Sequence, residues 1–205
     1  MSGKVILKRV FLILSIVVFV LLLNFRFLVF NFGFYEKEFD KYGVYEKIPE
    51  NVALENTKEL LGFLKGGGEL ETDFFNEKEK LHLGDVRGLI KGALFLFYVS
   101  LVLLILMIYL NRKKLGKSLI ISGALLIIVV LMFLLFNFEL MFRMFHEVAF
   151  TNDLWKLDPE IDNLIVLFPL GFFKDFLFRI GINSLIFGGV LVLGGSFLRK
   201  FEKTS

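Results

Sequence analysis

Residues 10–30 read VFLILSIVVFVLLLNFRFLVF, and this stretch decides the fold. A helix needs about 20 predominantly apolar residues to cross the hydrocarbon core of a bilayer, and this run is long enough. The chain is 56% hydrophobic, above the roughly 45–50% typical of soluble domains, so the excess must face lipid. Three further runs have the same character: residues 89–110, 119–138 and 180–198. The sequence therefore predicts an all-α membrane protein of four transmembrane helices with a small extracytoplasmic cap.

Basic residues flank these runs and predict their orientation. Cytoplasmic loops carry an excess of Lys and Arg, and three short basic segments lie at ends of the runs. Their residues are Lys4, Lys8, Arg9, Arg112, Lys113, Lys114, Lys117, Arg199, Lys200 and Lys203. Both termini are therefore expected in the cytoplasm. The acidic segments 31–88 and 139–175 are expected outside, and we expect the first run to be an uncleaved anchor because no small-x-small cleavage site follows it.

Five segments follow from this pattern. They are the N-terminus with the first transmembrane helix (1–30), the extracytoplasmic cap (31–88), the second and third transmembrane helices with a short basic cytoplasmic loop (89–138), the second extracytoplasmic segment (139–175), and the fourth transmembrane helix with the cytoplasmic tail (176–205). Within the polar segments we expect a helix start at Asn76 and Glu79, a strand at 70–75, and a cap of the second span at Gly84 and Asp85. Segment 139–175 should begin as an extension of the third helix and contain a short helix at 160–168.

Composition excludes several classes of function. The chain has no cysteine and two histidines, and the string His146-Glu147-Val148-Ala149-Phe150 lacks the second histidine of a zinc-binding HExxH motif. We therefore expect no metal and no other cofactor. The third and fourth runs carry almost no ionisable residue, which argues against an ion channel or a proton-coupled transporter. The basic residues flank apolar runs, which argues against nucleic acid as a partner. Small residues along the fourth run indicate close helix packing: Gly181, Ser184, Gly188, Gly189, Gly194 and Gly195.

The two histidines are the candidates for chemistry, because imidazole is the side chain best suited to move protons near neutral pH. His82 precedes the second run, and Asp85 three residues later on one helical face is expected to orient its ring. His146 continues a helical stripe that also holds Glu139 and Arg143. These residues alone leave open an enzyme acting on a lipid-embedded substrate, and a sensor or assembly factor with a structural cap.

Two strings around the histidines go further. The string Leu81-His82-Leu83-Gly84-Asp85-Val86 resembles the first signature of the lipoprotein intramolecular transacylases, the Lit family. The string FHEVAFTNDLWKLDP at residues 145–159, with Asn152 and Trp155, resembles the second signature of that family. Residues 164–173, with Phe168-Pro169, are also similar, and the resemblance covers nearly the whole chain.

The resemblance implies a reaction on diacylglyceryl-modified lipoproteins in the bacterial cell membrane. The sn-2 acyl chain would move to the α-amino group of the N-terminal cysteine, which gives the lyso-form. His82 and His146 would be the catalytic pair, at an active site on the extracytoplasmic side, with Asp85, Arg143, Glu139, Asn152 and Trp155 in supporting roles. A membrane hydrolase, an intermolecular acyltransferase using the same histidines, and a structural or signalling membrane protein remain the alternatives.

Overall fold

The computed structural model of the chain describes residues 3–111 and 115–202. Within these ranges the chain is helical and has no strand, which agrees with the predicted all-α class but not with the strand expected at 70–75. In chain order the helices are α1 (Gly3–Val29), α2 (Phe32–Lys41), a 3₁₀ turn (Val44–Glu46), α3 (Glu50–Leu64), α4 (Glu77–Asn111), α5 (Leu115–Phe133), α6 (Phe138–Ala149), α7 (Asn163–Leu167) and α8 (Leu170–Glu202). The predicted basic residues Arg112, Lys113, Lys114 and Lys203 lie outside the described residues.

Four of the described helices are long and apolar enough to cross a membrane, which confirms the predicted class. They are Ile6–Val29, Glu77–Asn111, Leu115–Phe133 and Leu170–Glu202. Two of them, α4 and α8, have 35 and 33 residues. At a rise of 1.5 Å per residue such helices are roughly 50 Å long, whereas the hydrocarbon core measures about 30 Å. Both helices therefore extend beyond the bilayer core and can carry polar residues at an end.

The start of α4 corrects one prediction and confirms another. Gly84 and Asp85 lie inside α4 and do not cap the second span. The helix begins instead at Glu77, behind a reciprocal cap in which Asn76 Oδ1 accepts from Glu79 N–H at 3.0 Å and Glu79 Oε2 accepts from Asn76 N–H at 2.7 Å. This cap satisfies backbone donors that a helix end leaves unpaired. The expected helix start at Asn76 and Glu79 is confirmed.

Two further predictions are wrong, and the bounds of a third differ from those expected. The strand expected at 70–75 is an irregular loop, because Glu59 Oε1 accepts from the backbone N–H groups of Glu71 and Thr72 and takes the place of a partner strand. The third helix does not continue through 139: it ends at Phe133, and α6 starts afresh where Asn137 Oδ1 accepts from Leu140 N–H at 2.9 Å. The short helix expected at 160–168 is confined to Asn163–Leu167.

The chain divides into two compact units. The first, here called the membrane unit, comprises Met1–Phe27, Leu94–Leu135 and Phe178–Ser205. The described part of this unit has a core of buried aliphatic side chains from α1 and α5: Leu12, Ile16, Val17, Val20 and Leu126. The second, here called the histidine unit, comprises Leu28–Ala93 and Phe136–Leu177 and holds both histidines.

Glycines bring α5 and α8 together within the membrane unit. A Cβ added at Gly123 would lie 2.5 Å from Gly188 O, and one added at Gly195 would lie 2.6 Å from Gly116 O. Real side chains do not tolerate such distances, so only glycine fits at these two crossing points. The predicted close packing of the fourth span is confirmed at Gly188 and Gly195. Gly189 and Gly194 face open space within the chain.

Rings from α2 and from the 168–176 region pack inside the histidine unit. Phe39, which is fully buried, lies 5.6 Å from the ring of Phe168 and 6.2 Å from that of Phe172. Tyr35 lies 5.2 Å from Phe172, and its hydroxyl donates to Val29 O at 2.7 Å. Aromatic pairs at such centroid distances add to the free energy of burial. This cluster joins α2 to the first turns of α8.

Candidate active site

His82 is a buried residue in the second turn of α4. Its side chain is 6% exposed, and the ring of Phe150 meets it at 5.0 Å in an edge-on arrangement. Among the residues that the structure describes, His82 Nδ1 has no hydrogen-bond partner. A buried imidazole nitrogen without a partner is costly and calls for an explanation. A group that binds only during function would supply one.

His146 lies in the last turn of α6 and is surrounded by rings. Its centroid lies 4.3 Å from Phe142, 5.1 Å from Trp155 and 5.5 Å from both Phe145 and Phe150. Its Nδ1 lies 2.7 Å from Phe142 O. A carbonyl oxygen can only accept, so Nδ1 must carry the hydrogen. In the neutral ring Nε2 is then left as the proton acceptor, which is the state of a general base.

The structure brings the two histidines together. Their ring centroids are 6.3 Å apart with an interplanar angle of 32°. They belong to separate helices, α4 and α6, and Phe150 contacts both rings. Two imidazoles at this spacing can address opposite sides of one small reacting group, since general acid–base catalysis needs each ring within hydrogen-bond reach of the proton it moves.

Asp85 was expected to orient His82, but its observed hydrogen bond goes elsewhere. Asp85 Oδ2 accepts from Asn152 Nδ2 at 2.9 Å. Asn152 Oδ1 in turn accepts from Leu154 N–H at 3.1 Å, which fixes the turn that follows α6. Asp85 and Asn152, two residues named from separate strings of the sequence, are therefore partners. Trp155 follows in the same turn and lies against His146.

Arg143 and Glu139 lie on α6 but point to other neighbours. Arg143 Nε lies 3.6 Å from Glu147 Oε1, and both side chains are more than half exposed. Glu139, in the first turn of α6, lines a shallow pocket together with Leu170, Gly171 and Lys174. The helical stripe predicted for Glu139, Arg143 and His146 exists, yet His146 alone is packed among the rings described above.

Aromatic side chains form the wall behind His146. Phe142 lies 5.1 Å from Phe173, and Phe173 lies 5.4 Å from Phe172. Phe145, with more than half of its surface exposed, meets Phe150 at 6.4 Å. Phenylalanine rings therefore surround this histidine and make the site apolar on the α6 side.

A buried polar network, which was not predicted from the sequence, anchors the start of α4. Glu79, which is fully buried, accepts from Leu164 N–H through Oε1 in addition to its bond within the helix cap. Asp162, 2% exposed, accepts from Asn76 Nδ2 at 2.7 Å, from Asp158 N–H at 2.7 Å and from Lys78 Nζ at 3.3 Å. The network ties the turn before His82 to the 158–164 segment. Only the pairing of Asn76 with Glu79 is visible in the sequence.

Asp162 is ionised in this network. Burial raises the pKa of its carboxyl, but the hydrogen bonds from Asp158 N–H, Asn76 and Lys78 outweigh burial and hold the pKa below its usual value. Hydrogen bonds to a carboxylate are stronger than neutral ones, so this residue is a firm anchor.

Comparison with known proteins gives consistent results. The model of the family described as "Lipoprotein intramolecular transacylase Lit" matches residues 10–173. The solved structure of the membrane integral lipoprotein intramolecular transacylase Lit from Bacillus cereus is similar at a TM-score of 0.90 and 24% identity, with 100% of both chains covered. A variant of that protein with one histidine replaced by alanine has a TM-score of 0.84 at 23% identity, covering 97% of this chain and 95% of the other.

A curated relative from Aquifex aeolicus has been described as an uncharacterized protein. It is 30% identical over 132 residues, which is 63% of this chain and 60% of the relative. The match therefore spans less than two thirds of the length of that relative. The similarity to the Bacillus cereus structures concerns the fold.

Proposed function

The chain belongs to the lipoprotein intramolecular transacylase family Lit, a family of acyltransferases, and from this premise we propose the reaction that it catalyses. The substrate is a bacterial lipoprotein whose N-terminal cysteine carries a diacylglyceryl group. The sn-2 acyl chain moves to the α-amino group of that cysteine and leaves a lyso-form lipoprotein. The acyl chains stay in membrane lipid while the head of the substrate enters the site.

The observation that carries this proposal is the meeting of His82 and His146. They are the only two histidines of the chain, and their rings are 6.3 Å apart although they belong to different helices. A structural protein has no need to place both imidazoles side by side. An acyl transfer from oxygen to nitrogen needs one group that removes a proton and another that supplies one.

His146 is the general base of the proposed mechanism. Its Nδ1 is engaged by Phe142 O, so Nε2 is the atom that takes the proton of the attacking amine. The nitrogen attacks the ester carbonyl carbon, a carbon–nitrogen bond forms, and the carbonyl oxygen becomes an oxyanion. Proton transfer of this kind contributes on the order of 10²–10⁴-fold to the rate.

His82 is the acid or oxyanion donor. Its buried Nδ1, unpartnered among the described residues, is free to engage the substrate. When the tetrahedral intermediate collapses, the bond between the carbonyl carbon and the glyceryl oxygen breaks and that oxygen takes up a proton. The proton lost by the amine and the proton gained by the glyceryl oxygen balance, so substrate and product are isomers. A donor aimed at the oxyanion adds a factor on the order of 10²–10³.

The supporting residues follow from their contacts. Trp155 packs against His146, and Asn152 with Asp85 fixes the turn that carries Trp155. Holding amine and ester in a confined site supplies the proximity contribution, because the ring that the substrate must close is large. Glu139 and Arg143 lie on the turns of α6 that precede His146, and we propose that they contact the peptide that follows the modified cysteine.

We propose that both termini are cytoplasmic and that the active site is extracytoplasmic. The charge distribution supports this orientation: segments 31–88 and 139–175 are net acidic, whereas the exposed Lys117 and the helix-terminal Arg199 and Lys200 are basic.

Mass spectrometry of a diacylglyceryl lipopeptide incubated with the purified protein tests the reaction. The intact mass should stay unchanged, while fragmentation should place an acyl group on the cysteine nitrogen and labelling by an amine reagent should fall. A hydrolase would lower the mass by one acyl chain, and an intermolecular acyltransferase would raise it by one chain. A mixture of heavy-acyl and light-acyl substrates completes the test, because exchange of chains between molecules would contradict an intramolecular route.

A further inference from the structure

One face of α4 contacts a single stretch of chain at three points. Lys78, His82 and Asp85 follow each other at helical spacing, so they share this face. Lys78 Nζ donates to Lys156 O at 2.6 Å, His82 meets the ring of Phe150 at 5.0 Å, and Asp85 accepts from Asn152 at 2.9 Å. The whole 150–156 segment is therefore aligned along the face of α4 that presents His82.

This segment also reaches the other histidine. The chain leaves α6 at Phe150, and the turn held by the bond from Leu154 N–H to Asn152 Oδ1 brings Trp155 back onto the ring of His146 at 5.1 Å. The interplanar angle of 39° leaves the indole partly over the imidazole. A bulky ring in this place restricts the rotation of His146 about its side-chain bonds, while Phe142 O fixes Nδ1.

We propose that Asp85 is a positioning residue for His146, on α6, and acts through its hydrogen bond to Asn152 and the turn that carries Trp155. This role rests on the function proposed above. The position of Asp85 in the sequence links it to His82, whereas its contacts in the structure link it to His146. What matters is the hydrogen bond between positions 85 and 152, and the negative charge of Asp85 is secondary. A base displaced by about 1 Å can lose on the order of 10²-fold in rate.

Exchanging the two side chains separates this role from a direct effect on His82. In the double variant D85N/N152D, Asn at 85 donates to the carboxylate at 152, and that carboxylate still accepts from Leu154 N–H, so both hydrogen bonds are restored. In N152D alone two carboxylates face each other and repel. If Asp85 acted on His82 by its charge, the double variant would lack that charge beside His82 and would stay impaired.

The measurement is the steady-state rate of lipopeptide isomerisation at a single pH for all variants, about pH 8, where the α-amine of the substrate is largely unprotonated. We expect N152D to lower kcat at least about tenfold with a smaller change in KM, and D85N to lose less because its amide oxygen still accepts. The double variant should recover most of the loss of N152D, since contacting residues show coupling of about 2–150-fold. A double variant no better than N152D, although folded, would overturn the proposal.

Tryptophan fluorescence provides a readout that does not depend on turnover. Trp155 is the only tryptophan of the chain, so its emission reports the packing of this turn on His146. The emission maximum should shift in N152D and return in D85N/N152D, with thermal unfolding of each variant as the control for folding. Unchanged emission in N152D would contradict the proposed link. If the wild-type protein does not isomerise the lipopeptide, the proposed reaction fails, whereas active wild type without rescue refutes the role of Asp85 alone.

Discussion

At the scale of the residue, the two histidines differ in their surroundings and hence in what they can do. His146 has its Nδ1 committed to a backbone carbonyl, which leaves one nitrogen as a base. His82 is more deeply buried, and its Nδ1 has no partner in the described parts of the chain. Identical side chains thus receive different roles from their neighbours, as happens for paired carboxylates in many enzymes.

Replacing either histidine by alanine should abolish activity without preventing accumulation of the protein. We expect H82A and H146A each to lower the isomerisation rate by at least about 10²-fold, since each removes a proton-transfer or donor group. The matched control is E147A, next to His146 but with its side chain 56% exposed and paired with Arg143. E147A should stay near wild type. Full activity in H146A would refute the proposed base.

Asp162 should make the stability of the protein depend on acid pH. Because its folded pKa lies below the usual value, its carboxylate stabilises the folded state above the ordinary pKa of about 3.9, and this contribution is lost as pH falls through the folded pKa. D162N should lower the free energy of unfolding by about 1–3 kcal/mol near pH 7. The deficit in Tm relative to wild type should shrink toward pH 3.

The control for this experiment is D153N, because the side chain of Asp153 is 79% exposed and pairs only with its near neighbour Lys156 in the structure that is described. It should change Tm little at either pH. A deficit of D162N that is equal at pH 7 and pH 3 would mean that the ionisation of Asp162 does not matter for stability.

At the scale of the element, the start of α4 shows what a sequence can and cannot reveal. The spacing of Asn76 and Glu79 predicts the cap, because both partners lie in one turn of chain. The second bond of Glu79, to Leu164 N–H, joins residues far apart in sequence and has no local signal. Glu79 therefore both caps α4 and joins it to Leu164, about one turn before His82.

Glu79 and Glu77 allow a matched test of this contact. Both lie in the first turn of α4, but Glu79 is fully buried whereas the Glu77 side chain is 91% exposed. E79A leaves buried N–H donors without an acceptor and should lower the free energy of unfolding by about 1–3 kcal/mol. E77A loses only an exposed ion pair with Lys80, which is worth about 0–1 kcal/mol. Thermal unfolding in detergent measures both, and equal shifts would contradict this assignment.

The contact of α5 with α8 can be tested with neighbouring glycines. A Cβ added at Gly188 would lie 2.7 Å from Ile127 Cγ1 and 3.1 Å from Gly123 O. A Cβ added at Gly189 would have no atom within 4 Å. G188V should destabilise the protein by about 1–3 kcal/mol through overpacking. G189V should be tolerated, because its side chain points away from α5. The test compares the Tm values of the two variants. If G189V were as unstable as G188V, the loss would come from the helix propensity of valine and not from overpacking against α5.

At the scale of the whole molecule, composition predicts the fold class well, because each membrane-spanning helix is a local feature of the chain. Apart from the start of α4, the ends of elements in the polar segments were predicted less well. The apolar run 119–138 reads as one helix, yet a single side-chain cap at Asn137 divides it. The two histidines could be named from the sequence because the chain has no others. Their contact, and the hydrogen bond between Asn152 and Asp85, join segments that are distant in sequence and could not be predicted.

The orientation of the chain can be measured with single cysteines, because the natural sequence has none and gives no background. K58C and K156C should react with an impermeant thiol reagent in intact cells, whereas K117C should react only after the membrane is opened. The acidic segments that hold Lys58 and Lys156 are expected outside and the basic loop before Lys117 inside. Protection of position 58 in intact cells would reverse the orientation and exclude an extracytoplasmic site.

The crossings of α5 and α8 have a consequence for how this sequence can evolve. Each crossing has glycine on both sides, Gly116 with Gly195 and Gly123 with Gly188. In most protein cores a larger residue at one position can be compensated by a smaller residue at the position that contacts it. Here the residue opposite is already the smallest that exists. A mutation at one of these four positions therefore has no suppressor at its partner, and descendants can change them only by moving the helices apart.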